Sequence, residues 1–191
     1  MISLQQYLAA PLDIEFNPDI DTPLILKRFE KLLSFESKLY FIKVSYVKKL
    51  VFTLVSEGKF KDFKFNVKRK FKPEAYMYDG GEINISYGIF LHTTAPVFLT
   101  VLCHEIAHIW LSQREDYGDI KELNRQFKKE FSDGVNSPVE VWARIVQTKI
   151  LEKIISVLQG KKREKLLKCL DGEREKLKIL ESGIVALKGN S

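Results

Sequence analysis

Two of the three histidines in this chain stand four residues apart, with a glutamate directly after the first: VLCHEIAHIWL, residues 101–111, holds His104, Glu105 and His108. On an α-helix that spacing stacks both imidazoles on one face, one turn apart, within reach of a single metal ion. Zinc takes imidazole nitrogen at about 2.0–2.1 Å, so the pair can be met without bending the backbone. Glu105 projects near the same point without having to be a ligand. It can accept a proton from a water that zinc has acidified to a pKa of roughly 7. The plainer alternative is two satisfied polar histidines on a helix. Three specified residues at the required spacing, with only His92 elsewhere, favour a metal site.

That chemistry needs a helix, and the flanks supply one. In HTTAPVFLTVLCHEIAHIWLSQRE, Thr93 or Thr94 followed by Pro96 marks a helix start, and Val97, Val101, Leu102, Ile106 and Ile109 give the apolar period. Residues 115–136 then turn polar around a short helical pattern, IKELNRQFKKEF. SPVEVWARIVQTKILEKIISVL follows as a strong helix, and two further helical stretches come after it.

Upstream, GKFKDFKFNVKRKFK alternates Phe63, Phe65, Val67 and Phe71 with Lys64, Asn66, Lys68 and Lys70, the period of a strand with one buried and one solvated face. EAYMYDGGEINISYG reads as a hairpin turning at Asp79-Gly80-Gly81. Its second arm, 82–86, is expected to be half-buried and at a sheet edge. PLILKRFEKLLSFE predicts an apolar helix face through Leu24, Leu26, Phe29, Leu32 and Leu33. SKLYFIKVSYVKKLVFTLVSEG suits helix or strand, with Gly58 closing it.

At 191 residues and 45% hydrophobic, the chain can bury a substantial core, and the expectation is one domain over 1–191. Within it, 1–58 is an N-terminal helical part, 59–150 the metal-site core and 151–191 a C-terminal helical extension. MISLQQYLAAPLDIEF lacks a basic leader and is broken by Pro11 and Asp13, a poor fit to a secretory signal. No apolar run approaches the roughly 20 residues of a membrane helix. Two cysteines, Cys103 and Cys169, make no disulfide framework, and Cys103 suits a buried apolar position. These features predict a cytoplasmic protein without membrane attachment. The net charge of +6 resolves into a solvated strand face and a mixed-charge helix, KKREKLLKCLDGEREKLK, so no nucleic-acid partner is expected.

HEIAH after a strand and an apolar helix start resembles the zincin superfamily of zinc metallopeptidases, in which H-E-x-x-H lies on the active-site helix beside a peptide-binding edge strand. The branch with a third histidine in H-E-x-x-H-x-x-G-x-x-H is excluded, because Leu111 and Arg114 stand at the corresponding positions. EVWA, 140–143, is similar instead to the E-x-x-A of gluzincins, including minigluzincins, where a glutamate on a later helix completes the site. The resemblance spans about Ile83 to Ile150.

It implies Glu140 as third metal ligand, with Glu130, Glu115 and Asp116 as fallbacks. SPVE also spells a capping box, Ser137 at the cap and Glu140 reaching back. Gluzincins often place an aspartate soon after this glutamate to orient a histidine. Here Arg144 follows Ala143, so the partner has to come from elsewhere, Asp116 or Asp133. His92 and Tyr117 are candidate oxyanion donors, each with a surface or packing role as its alternative. Trp110 and Trp142 read as core.

The expectation is therefore an α+β, zincin-like fold: a small twisted sheet, an active-site helix, and additional N- and C-terminal helices. Its activity would be Zn2+-dependent hydrolysis of peptide or protein substrates, with Glu105 as general base and the strand at 82–86 aligning an extended substrate. Two other readings stand beside it: a catalytically silent zincin-like scaffold that binds metal or a protein partner, and a basic nucleic-acid-binding protein with structural zinc. The sequence sets no oligomeric state.

Overall fold

The strand pattern, the glycine turn and the helix periods assemble around one apolar helix. A computed structural model of the chain describes residues 17–35, 40–78, 81–130 and 137–188. Helix α1 (Pro23–Leu32) starts at Thr22, whose Oγ1 accepts from the Ile25 amide at 3.3 Å. It buries Leu26, Phe29 and Leu32 as expected, with Ile25 in place of the exposed Leu24 and Leu33 half-buried. The ambiguous second segment is helix α2 (Tyr40–Ser56), which buries Val47, Leu50, Val51 and Leu54. That i, i+3, i+4, i+7 spacing decides for helix over its β-branched composition. Gly58 ends it at φ 69°, with its amide donating to the Val55 carbonyl.

Three strands follow: β1 (Lys64–Lys68), β2 (Ala75–Tyr78) and β3 (Glu82–Ser86), in spatial order β1-β3-β2. β2 and β3 form the expected antiparallel pair, Ala75 opposite Ile85 and Tyr78 opposite Glu82. Gly81 has the positive φ of 78°, while Asp79 and Gly80 of that turn lie outside the described residues.

The expected edge position of 82–86 is wrong. β1 pairs with β3 in parallel from Lys64–Glu82 to Lys68–Ser86, so β3 is central and Ile83, Asn84, Ile85 and Ser86 are all buried. The alternation of 82–86 marks two chemically different faces, and nothing in it records how many neighbours a strand has. β2 is an edge strand of this sheet.

Phe71 also departs from expectation. The strand ends at Lys68, and Phe71 is 73% exposed, resting edge-on against Tyr87. Lys64 and Lys70 are exposed as anticipated, and Lys70 pairs with Glu74.

Ser86 closes β3 and opens the short helix α3 (Tyr87–His92), which the sequence did not announce; its Oγ accepts from the amides of Glu74 and Ile89. Gly88 fits there because a Cβ would lie 2.0 Å from the Phe71 carbonyl oxygen. An aromatic series then ties the sheet to the next helix: Phe65 on β1 meets Phe90, and Phe90 meets Phe98 at 4.8 Å between centroids.

Helix α4 (Ala95–Ser112) starts at Thr94 and carries VLCHEIAHIWL. It is apolar on nearly every side and accordingly buried, including Phe98, Leu99, Leu102, Cys103, Ile106 and Ile109. By length and composition alone α4 could also cross a membrane, against the expectation that no run is long enough. Most of it is covered by the sheet and the helices that follow, which is the situation of a core helix. Its end is held by Gln113, which accepts from the Lys61 amide at 2.8 Å and donates to the Lys61 carbonyl at 3.1 Å.

The polar stretch is largely helix α5 (Tyr117–Glu130), burying Ile120, Leu123 and Phe127. Helix α6 (Pro138–Val157) packs along α4, and α7 (Gly160–Lys188) packs on both. The two terminal stretches are one helix, because Gly172 stands on an open face where its missing side chain costs no packing. Trp142 is core, whereas Trp110 is half-buried with the Arg114 guanidinium over its ring. The result is a mostly helical α+β protein with a small three-stranded mixed sheet against its helices.

Candidate metal centre

His104 and His108 leave α4 one turn apart, with ring centroids 4.6 Å apart and Nε2 atoms 3.1 Å apart. Glu140, in the first turn of α6, reaches both: Oε2 is 3.2 Å from His104 Nε2 and Oε1 is 3.4 Å from His108 Nε2. Ser137 is the N-cap of α6 but makes no side-chain capping bond. The SPVE segment therefore starts the helix without the reciprocal capping box, and Glu140 turns to the histidines. Of the fallback acids, Asp116 is occupied in a two-pronged pair with Arg114, and Glu115 is exposed. The Glu130 side chain and Asp133 lie outside the described residues.

The two imidazole nitrogens lie 3.1 Å apart, each has one oxygen of the Glu140 carboxylate at 3.2 or 3.4 Å, and one donor atom from each residue lies within 4.8 Å of the others. A tetrahedron with bonds near 2.05 Å has ligand-to-ligand edges of about 3.3 Å. The set is a candidate metal site of that order of size, and two imidazoles with one carboxylate are ligands that zinc accepts.

The hydrogen-bond partners of His104 are compatible with a metal. Gln147 Nε2 donates to the Thr100 carbonyl at 2.9 Å, which fixes its amide and leaves Oε1 as the atom 3.2 Å from His104 Nδ1. An amide oxygen only accepts, so Nδ1 carries a proton, and in a neutral imidazole Nε2 is then the nitrogen with the free lone pair. That lone pair points at a carboxylate oxygen and a second imidazole nitrogen. Only a proton or a cation in the middle relieves the repulsion.

Gln147 is thus the partner that orients His104, in place of Asp116 or Asp133. It sits seven residues after Glu140, two turns along the same face of α6, and that i+7 spacing was the available signal. Arg144, at the position where an acid was looked for, serves the scaffold. Its Nη1 donates to the buried Glu173 of α7 at 2.8 Å, and Lys176 holds the other oxygen at 2.7 Å.

Electrostatics separates the two glutamates. Burial works to raise the Glu140 carboxyl, but the hydrogen bonds and charges of His104 and His108 together hold it well below the ordinary carboxylate range. Glu105 is 4% exposed, and its Oε2 is buried without a hydrogen-bond partner. Burial pushes its pKa up to about 7, with a smaller lowering by His108 and a smaller raising by Glu140. One carboxyl is ionised and placed to coordinate, while its neighbour is poised to exchange a proton near neutrality. Cys103 is fully buried and its thiol is pushed up by desolvation, so it packs as an apolar residue.

The centre opens into a cleft of about 590 Å³ lined by β2, α4, α5 and the start of α6. Tyr117 lines it; His92 is exposed and borders a different groove beyond the other end of α4, so it is not at this site. Among the described residues, His104, His108 and Glu140 are the one group of three able to hold a metal ion. No family model, curated protein or solved structure matches this chain, so the reading of the site rests on this His-His-Glu geometry, which is that of an HExxH-type centre.

Proposed function

We propose that this protein is a zinc-dependent metallopeptidase of the zincin type, gluzincin branch. The observation that carries the reading is the convergence of His104 Nε2, His108 Nε2 and Glu140 at 3.1–3.4 Å, with the unpartnered Glu105 carboxyl beside them and the whole set open to a cleft. Three protein ligands facing a cavity is the pattern of a catalytic zinc site; a structural site closes with a fourth protein ligand.

Zinc held there supplies Lewis acidity toward a peptide carbonyl and renders a water acidic enough to ionise near neutral pH. His104, tethered by Gln147, and His108 fix the donor directions, and Glu140 contributes the negative charge of the site. Glu105 takes the proton from the attacking water and returns it to the leaving amine. β2 runs along the cleft with Ala75, Tyr76 and Met77 in its lining. An extended substrate adds to that edge strand, in place of the strand at 82–86 favoured from sequence alone.

The test is cleavage of an unbiased peptide library by zinc-loaded protein, read by mass spectrometry, with Glu105→Gln as control. Internal cleavage by the wild type, reduced by about 10² to 10⁴-fold in the variant, is the expected result. A protein that holds zinc and cleaves nothing is a scaffold.

A further inference from the structure

The amino end of α4 lies about 13 Å of helix before His104 and borders a separate groove. There Ala95 and Pro96 help to line a hollow of about 790 Å³, together with Leu33, Leu91 and the first turns of α7. A second hollow, of about 470 Å³, runs on along α1. Ser34 and Lys162 line both, so the two make one groove between α1 and α7. Its rim is basic: Lys27, Arg28 and Lys31 line it from α1, and Lys161, Lys165 and Lys168 from α7. Spacings of four and three residues keep each set on one helix face. The five lysines are exposed, and the Arg28 Nε is shielded from water without a hydrogen-bond partner. Among the described lining residues the one acid is Glu30, and Lys162 occupies it at 3.0 Å.

A basic rim alone would suit any polyanion, and the floor narrows the choice. Leu33, Leu91, Ala95 and Pro96 give it aliphatic surface, and Leu24, 43% exposed, extends that surface along α1. The lining's two benzenoid rings, Phe35 and Tyr46, pack on each other at 4.7 Å between centroids, with Lys31 and Lys49 against them. That leaves His92 as the one exposed ring in the described lining, too little of a stacking platform for a nucleic-acid strand. A helix with one apolar face and carboxylates beside it matches floor and rim together.

We propose that this groove docks an acidic amphipathic helix of a partner protein. Its apolar face rests on Leu33, Leu91 and Pro96, and its carboxylates meet Lys31, Lys165 and Lys168. The groove is separate from the metal centre, so the proposal stands whether or not the protein is a peptidase. Pairs at a solvated rim are screened and individually weak. A groove lined by one sign of charge sums them, so discrimination of about tenfold is expected at low salt.

The probe is a fluorescein-labelled helical peptide of about 18 residues, with leucine along one face and glutamate on the rest. Two relatives accompany it, one with glutamine for every glutamate and one with serine for every leucine. Binding to the whole chain is read by fluorescence anisotropy. The acidic amphipathic peptide should bind about tenfold more tightly than either relative, and its margin over the glutamine form should shrink as salt rises toward roughly 0.5 M. Introducing Lys31→Gln, Lys165→Gln and Lys168→Gln together should bring that margin to within about twofold. Lys48→Gln, Lys64→Gln and Lys178→Gln together remove the same charge from exposed positions outside the groove and should leave the margin unchanged. Equal losses in the two triple variants would reduce the binding to net charge and overturn the proposal. Equal binding of the three peptides, or no binding of any, overturns it as well. Tighter binding of an oligothymidine or of phosphatidylglycerol vesicles than of the acidic peptide also overturns it, and assigns the groove to nucleic acid or to a membrane surface.

Discussion

Replacing Glu105 by glutamine removes one ionisable group from a site where ionisation is costly, and the cost can be followed in the metal-free protein without any substrate. The carboxyl is 4% exposed, one of its oxygens has no partner, and its pKa stands at about 7 instead of 4.5. An unfolded chain releases this proton near 4.5, whereas the folded protein keeps it until about 7. Through that window the folded state binds more protons, so its stability falls as pH rises and levels off above the folded value. Roughly 2.5 units at 1.36 kcal/mol each amounts to about 3 kcal/mol lost between pH 4.5 and 8. The variant lacks this loss and retains His104, His108 and Glu140, so the difference between the two proteins isolates Glu105. Urea denaturation of both proteins in the presence of a chelator, from pH 5 to pH 8, should show the variant gaining about 2–3 kcal/mol over the wild type across the range. Parallel curves would refute the claim that Glu105 is held in a desolvated, proton-exchanging state.

Gln147→Leu keeps the volume near His104 but removes the acceptor 3.2 Å from Nδ1. Zinc affinity, measured by competition with a chromophoric chelator, should fall about 10 to 100-fold with little change in fold. Arg144→Met strips the buried Glu173 of one of its two cations. Lys176 remains, so the loss should fall short of the 3–5 kcal/mol of a fully broken buried pair, at about 2 kcal/mol in urea, and adding Glu173→Leu should recover most of it.

The candidate metal site was legible in the sequence because which side chains meet on a helix is a matter of spacing. His104 and His108 at i and i+4 had to share a face, and Glu140 at the start of a strong helix met them as the resemblance implied. What could not be read depended on long-range partners. Whether 82–86 is an edge or a centre depends on β1, whose Lys64 pairs with Glu82, joining it in parallel, and alternation is indifferent to that. The partner of His104 was sought among acids, yet a glutamine does the work because its amide is pinned by the Thr100 carbonyl on α4. Arg144 looked like a departure from the pattern and proves to be an inter-helix tie to Glu173, a role visible only once α7 is packed on α6. Phe71 fitted the apolar row and is exposed because the chain leaves the strand at Lys68.

The most direct measurement is the zinc content and zinc affinity of the purified protein, alongside His104→Ala, His108→Ala and Glu140→Ala. The account predicts one zinc per wild-type chain and a weakening of at least about 100-fold in each variant, since the site loses one of its three protein ligands in every case. A wild-type protein that takes up no zinc, or a Glu140→Ala variant that binds it as tightly as the wild type, would contradict the His-His-Glu centre on which the proposed activity depends.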